Sequence, residues 1–135
     1  GVKLCSLYGS LEMDIAELEE EEAAAFTEGL DITEPGRERL IEEAYRVLGL
    51  ISFFTCGPDE VRAWTLHDGD NAVDAAGAIH SDLARGFIRA QVVAFDDYKK
   101  HGSSFDECRK AGCLRLEGKE YLVKDGDIIE IRFNV

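Results

Sequence analysis

The chain has 135 residues, a formal net charge of −13 and 45% hydrophobic residues, which is typical of a soluble globular protein of one domain or one domain plus an appendage. This acidity argues against simple polyanion binding, and no apolar run approaches the ~18 residues of a membrane span. No signal peptide and no zinc-ligand spacing are visible. The four cysteines are therefore interpreted as reduced thiols of a cytoplasmic protein.

Residues 1–49 are expected to be mainly helical, apart from a short strand over residues 2–8. Apolar residues recur at helical spacing, and polar, proline and glycine signals mark where helices start and end. In chain order these signals are the capping box Asp14–Glu17, the terminal glycine Gly29, Thr33 with Pro35 in the first turn, and Gly49.

From residue 50 the pattern changes to strands around one helix. Apolar runs bounded by turn residues predict five strands: Ile51–Thr55, Val61–Leu66, Phe87–Phe95, Tyr121–Val123 and Ile128–Phe133. The last two are expected to pair through the turn Lys-Asp-Gly-Asp. A helix is predicted over Asn71–His80, followed by a strand that carries Arg85 and Arg89. Helical turns are predicted over Asp96–His101 and Phe105–Ala111. This order is that of the ubiquitin-like β-grasp, an α+β fold in which a mixed sheet packs one helix on its concave face.

Basic residues concentrate in the middle of the acidic chain. Residues 1–50 carry a net charge of −9, whereas residues 85–119 carry +3. The candidates for phosphate contact are Arg85, Arg89, Lys99, Lys100, Arg109, Lys110 and Arg115. They form either a basic patch for RNA or an ordinary solvated face, because acidic residues interleave with them.

His80 is expected to end a helix, where the helix dipole favours the protonated imidazole. It could contact a phosphate, ribose or base, or it could be a local cap or a half-buried packing histidine. Asp74 and Asp82 are interpreted as helix-capping groups, and Trp64 as a core or sheet-face residue.

Two other features are given structural interpretations. The run Glu19–Glu22 is interpreted as a solvated acidic face, since consecutive helical residues point in different directions. Cys108 and Cys113 are interpreted as inert thiols. The sequence contains neither Gly-x-x-x-x-Gly-Lys-[Ser/Thr] nor Gly-x-Gly-x-x-Gly, so no nucleotide-hydrolysing site and no catalytic residue are predicted.

Several motifs carry a family resemblance. Asp74-Ala-Ala-Gly-Ala-Ile-His-Ser-Asp-Leu83 resembles the signature of TGS domains, small ubiquitin-like modules of synthetases and GTPases. The stretches Leu50–Leu66, Arg85–Ala90 and Asp125–Val135 are similar to the C-terminal part of the YchF family, the Obg-like ATPases.

The resemblance implies that residues 50–135 are a TGS domain and that residues 1–49 are the remnant of a P-loop ATPase or GTPase domain. The full-length parent would use ATP or GTP with magnesium, whereas this fragment would hold no cofactor or metal. Ser6 and Leu7 would correspond to a loop near the nucleotide base, which in the family usually reads Ser-Ala.

The implied partner is the ribosome or a structured RNA, with no membrane involved. The implied contact residues are His80, Arg85, Arg89, Lys99, Lys100, Arg109 and Lys110. The alternative is a β-grasp module that binds a protein through its exposed sheet without direct RNA binding.

Overall fold

The structure is a computed structural model that describes residues 6–30, 36–57 and 60–134. The chain divides into two compact units, Gly1–Leu48 and Gly49–Val135. None of the described helices is long and apolar enough to cross a membrane.

The described part of the first unit contains three helices: α1 (Gly9–Ala16), α2 (Glu20–Gly29) and α3 (Gly36–Leu48). Its predicted strand lies partly outside the described residues, and residues 6–8 have no regular structure. The predicted capping box is wrong, because Asp14 lies inside α1 and Glu17 is its C-cap. Leu11, Glu12 and Met13 are strong helix formers, so the helix already runs through Asp14.

The helix ends of this unit agree better with the sequence. α2 ends at Gly29, and α3 ends before Gly49, whose φ of +63° is the left-handed conformation that terminates helices. The predicted start at Thr33 and Pro35 lies outside the described residues.

The second unit is a five-stranded mixed sheet with strand order β2-β1-β5-β3-β4. The strands are β1 (Leu50–Cys56), β2 (Val61–His67), β3 (Phe87–Ala94), β4 (Arg115–Glu117) and β5 (Asp127–Phe133). β1 pairs parallel with β5, and the other neighbours are antiparallel. This mixed sheet confirms the predicted α+β, ubiquitin-like β-grasp fold.

One face of the sheet, here called the helix face, packs against α4 (Ala72–Ile79). Three fully buried alanines of α4 meet Phe53, Ala90 and other apolar residues from the strands. Small side chains allow the helix backbone to approach the sheet closely. Asn71 caps α4 with its side chain, and the Asn71 N–H donates to the Asp74 carboxylate at 2.9 Å, so Asp74 has the predicted capping role.

The opposite face of the sheet is only partly covered. α6 (Phe95–Lys100) and α7 (Phe105–Ala111) lie against it, with the rings of Phe54 and Phe95 6.1 Å apart. Val93, Cys108 and Ile128 are buried there, outside the main core cluster. The rest of this face, toward the start of β3 and the end of β5, is open.

A β-bulge near the start of β3 decides which side chains point to the open face. Phe87 pairs with Phe133, but Arg89 already pairs with Arg132, so β3 contains one extra residue. Phe87 and Ala90 can therefore both face the helix, while Arg89 points to the open side.

Two sequence predictions in this unit are wrong. Tyr121–Val123 is not a strand paired with β5; instead Arg115–Glu117 forms β4 against β3. The chain between β4 and β5 instead crosses the helix face. There the Tyr121 hydroxyl donates to the buried Asp127 carboxylate, and Leu122 makes an isolated bridge with Asn71. Arg85 does not begin a strand either, since it ends the short helix α5 (Ser81–Arg85).

Candidate functional site

The open face of the sheet contains a groove of about 620 Å³. We call it the arginine groove, and its lining residues come from β3, β4, β5, α7 and the loop after α7. They are Arg89, Gln91, Arg109, Leu114, Leu116 and Arg132. Three guanidinium groups and two leucine side chains thus converge in one concavity of an otherwise acidic chain.

Two of the arginines lie directly opposite each other on neighbouring strands. Arg89 of β3 is the register partner of Arg132 of β5. Like charges in this position destabilise a sheet. Both side chains are exposed, and neither forms an ion pair with another residue in the described ranges. The pair is therefore free to bind an external anion.

A chain of hydrogen bonds fixes the floor of the groove. Arg109 pairs with Asp106 at 2.7 Å and donates to the Gln91 side-chain carbonyl at 2.9 Å. The Gln91 amide in turn donates to a carboxylate oxygen of Glu130. Gln91 is only 2% exposed, so its amide orientation is held, and it links a fixed cation to an exposed carboxylate.

The sequence prediction identified Arg89 and Arg109 but missed Arg132, Gln91 and Glu130. A signal for two of these was present. The run Ile129-Glu-Ile-Arg132 alternates apolar and polar residues, which places Glu130 and Arg132 together on the face opposite the core.

His80 and Arg85 form a separate cluster around Asp82. Arg85 pairs with Asp82 at 2.6 Å, and the Asp82 N–H donates to His80 Nδ1 at 3.1 Å. His80 Nδ1 thus serves as a hydrogen-bond acceptor for the first turn of α5. His80 therefore caps α5, as its local alternative predicted, while its side chain stays 64% exposed.

The structure does not bring all the predicted contact residues together. α4, which ends at His80, packs on the helix face, whereas Arg89 lies on the open face. Lys99 and Lys100 are exposed in the last turn of α6, and Lys110 pairs with Glu107 at 2.6 Å. Of the seven predicted residues, only Arg89 and Arg109 line the groove.

Ser6 and Leu7, the predicted nucleotide-proximal residues, belong to the first unit. The Ser6 carbonyl accepts a hydrogen bond from Arg39 at 2.7 Å, and Leu7 is 41% exposed. Among the described residues no group of three or more His, Cys, Asp or Glu side chains could hold a metal ion.

A buried polar network occupies the helix face beside β4. Asp127, 2% exposed, accepts hydrogen bonds from the Tyr121 hydroxyl at 2.7 Å and the Lys124 N–H at 3.0 Å, and pairs with Arg115 at 3.3 Å. Burial, together with the hydrogen bond to Asp127, raises the pKa of Tyr121 to about 12. Arg115 is thus committed to an internal partner, and it does not line the arginine groove.

Trp64 and Cys108 lie in surroundings that indicate structural roles. Trp64 packs beside the core, donates to Thr55 Oγ1 at 3.0 Å, and is covered by the Arg62 guanidinium 4.1 Å from its ring centre. Burial, with the neighbouring Cys113 thiol, raises the pKa of Cys108 to about 11, which keeps this thiol protonated at neutral pH.

Comparisons with known proteins agree with this architecture. A family model described as YchF-GTPase_C, protein of unknown function (DUF933), matches residues 50–134. The "Ribosome-binding ATPase YchF" of Bacillus subtilis (strain 168) is 52% identical over 125 residues, which cover 93% of this chain and 34% of that protein. "Obg-like ATPase 1" of Rattus norvegicus is 42% identical over 134 residues, 99% of this chain and 33% of that protein.

A solved structure shows the same relationship. The YchF GTPase of Schizosaccharomyces pombe superimposes with a TM-score of 0.78 at 35% identity, covering 88% of this chain and 31% of that one. The chain spans about a third of the length of the curated relatives it matches. Because the family model matches more than half of the chain, the chain belongs to the YchF family.

Proposed function

We propose that this chain is the recognition part of a YchF-like, ribosome-associated ATPase or GTPase, and that its β-grasp unit contacts ribosomal RNA. In this proposal residues 50–135 are a TGS domain and residues 1–49 are the remnant of the P-loop domain. The full-length protein binds ATP or GTP with magnesium in the cytoplasm, and the present chain does not hydrolyse nucleotide.

The arginine groove is the observation that carries this proposal. Guanidinium groups bind phosphates and stack on bases, which makes arginine the residue best suited to RNA contact. Arg89 and Arg132 lie directly opposite each other, so their like charges repel, and a bound anion would reduce this repulsion. Relatives of this chain are named as ribosome-binding ATPases, and the ribosome is a polyanionic partner that could supply such a ligand.

His80 and Arg85 serve as a secondary contact in this proposal. Both side chains are well exposed, but Asp82 already neutralises part of the Arg85 charge. Lys99, Lys100 and Lys110 contribute to the long-range field rather than to direct contact, because they are solvated on α6 and α7.

Co-sedimentation of the chain with purified ribosomes, measured over a range of salt concentrations, tests the proposal. The variant Arg89→Ala/Arg132→Ala removes two cations and should weaken binding. It should also lower the salt slope, by about 0.7 for each phosphate contact that is lost, the value for single strands. The matched control is Arg46→Ala, which removes an exposed arginine of α3 that pairs with Glu43.

The second candidate is a protein-binding module. β2 forms an edge of the sheet along its whole length, and Val61 on it is 71% exposed, so an extended peptide could add to this edge. Ribosome binding that is insensitive to salt and unchanged by Arg89→Ala/Arg132→Ala would refute RNA contact and support this candidate.

A further inference from the structure

We infer that the arginine groove is a site for one or two unpaired RNA nucleotides, with a phosphate between Arg89 and Arg132 and the edge of an amino-bearing base at Glu130. This inference rests on the proposed function, because it names the part of the RNA that the β-grasp unit takes. It predicts discrimination between bases, which phosphate contact alone does not give.

The size of the groove points to unpaired nucleotides. Its volume of about 620 Å³ lies within the range of small-ligand pockets, roughly 300–1,000 Å³. α7 contributes Arg109 to one side of the groove, which is otherwise open to solvent. Modules that bind duplex RNA instead track phosphates and 2′-hydroxyls across about 16 base pairs.

The cross-strand arginines provide the phosphate seat. Side chains directly opposite each other in a sheet have Cβ atoms about 4.5–5.5 Å apart, so two guanidinium groups can reach one phosphate. Arg109 is less available, since Asp106 and Gln91 already accept its hydrogen bonds. We therefore assign the phosphate contact to Arg89 and Arg132. Arg109 positions Gln91.

The remaining side chains suit a base better than a phosphate. Leu116, 60% exposed, and Leu114 offer apolar surface for the face of a base. Glu130 borders the groove without lining it: it lies on the same side of β5 as Arg132, two residues away, and its carboxylate accepts a hydrogen bond from Gln91, which does line the groove. That carboxylate repels phosphate but accepts hydrogen bonds from an exocyclic amino group, such as N4 of cytosine.

Cytidine and uridine form the sharpest probe pair. Cytosine presents an amino donor where uracil presents a carbonyl acceptor, so Glu130 should favour cytosine and disfavour uracil. Glutamine can both donate and accept, so Glu130→Gln should remove the preference while keeping the side-chain size.

The experiment measures fluorescence anisotropy of labelled 12-nucleotide oligocytidylate, oligouridylate and a 12-base-pair mixed-sequence duplex with the 135-residue chain. We expect oligocytidylate to bind at least about fivefold more tightly than oligouridylate, the lower end of what one good base contact gives. Glu130→Gln should bring this ratio close to one. Arg89→Ala/Arg132→Ala should weaken the binding of both single strands about equally, and Arg46→Ala should change the affinity for neither. Circular dichroism and thermal melting establish that each variant is folded.

The outcomes separate the inference from the proposed function. Ribosome binding that depends on Arg89 and Arg132, together with duplex binding equal to or tighter than single-strand binding, overturns the inference alone. An equal affinity for the two single strands that Glu130→Gln leaves unchanged overturns it as well. If Arg89→Ala/Arg132→Ala changes binding neither to ribosomes nor to any of the RNAs, the proposed function itself is overturned.

Discussion

Asp127 is the buried charge around which the chain between β4 and β5 is organised. Three hydrogen-bonding partners compensate its removal from water: a phenol, a backbone N–H and a guanidinium. Burying a charge without such partners would lower the stability of the fold by roughly several kcal/mol. The network therefore explains why residues 121–123 cross the helix face instead of pairing with β5.

We expect a pH-dependent contribution of Tyr121 to stability. Burial and the hydrogen bond to Asp127 raise its pKa in the folded protein to about 12, above the ordinary value of 10.0. The folded state thus retains a proton that the unfolded state loses first, so this contribution is complete below pH 10 and disappears as pH rises to 12.

Urea unfolding of the wild type and of Tyr121→Phe between pH 8 and 12 measures this contribution. At pH 8 the variant should be less stable by about 1–3 kcal/mol, the value of a hydrogen bond to a charged partner. The difference should shrink as pH approaches 12. Comparing the two proteins at each pH cancels the titration of the other groups, and a constant difference would contradict the prediction.

At the level of single residues, the sequence predicts structural roles better than it predicts the site. Trp64 beside the core and Asp74 as a capping group were predicted, because each role depends on near neighbours. The groove depends on strand pairing over long sequence distances. Arg89 and Arg132 are brought together by the β3–β5 register, which a bulge shifts by one residue, and no local pattern reveals that shift.

Among the elements, α7 shows how one glycine sets the end of a helix. Gly112 at its C-cap has φ +76°, and the Cys113 N–H reaches back to the Cys108 carbonyl at 3.0 Å. A residue with a Cβ is strained in this conformation, whereas glycine is not. The turn directs the chain into Leu114 and β4, so it also positions one wall of the arginine groove.

We expect Gly112→Ala to destabilise the second unit by about 1 kcal/mol, the cost of a left-handed alanine. Gly118→Ala is the matched control. An added Cβ meets nothing within 4 Å at either position, but only Gly112 has a positive φ. Thermal unfolding followed by circular dichroism measures both variants, and equal melting temperatures would show that conformation at Gly112 contributes nothing.

Helices and paired strands differ in how far local sequence determines them. α4, α6 and α7 were predicted within about two residues, since capping and apolar spacing are local signals. The partner of β5 was predicted wrongly, because Lys-Asp-Gly-Asp has the composition of a hairpin turn. The structure uses it differently: Asp125 accepts from the Ser52 N–H at 2.8 Å, which ties the turn to β1.

At the scale of the whole molecule, charge and missing motifs together limit its chemistry. We expect the 135-residue chain neither to bind nor to hydrolyse ATP, because its sequence has no Gly-x-x-x-x-Gly-Lys-[Ser/Thr] loop to hold the phosphates. Calorimetric titration with ATP and magnesium checks this, with a P-loop ATPase as the positive control. Magnesium-dependent binding at micromolar affinity would contradict the prediction.

The position of β5 has a consequence for how this protein is made. β5 lies in the middle of the sheet, between β1 and β3, yet it is the last of the five strands along the chain. During translation the β1–β2 hairpin and the β3–β4 pair emerge first, and the edges of β1 and β3 that β5 later covers are still unpaired. Open edges are where nascent chains aggregate, so this delay is a period of vulnerability. β5, the last of these five strands to emerge, pairs with β1 on one side and β3 on the other and so covers both of these edges.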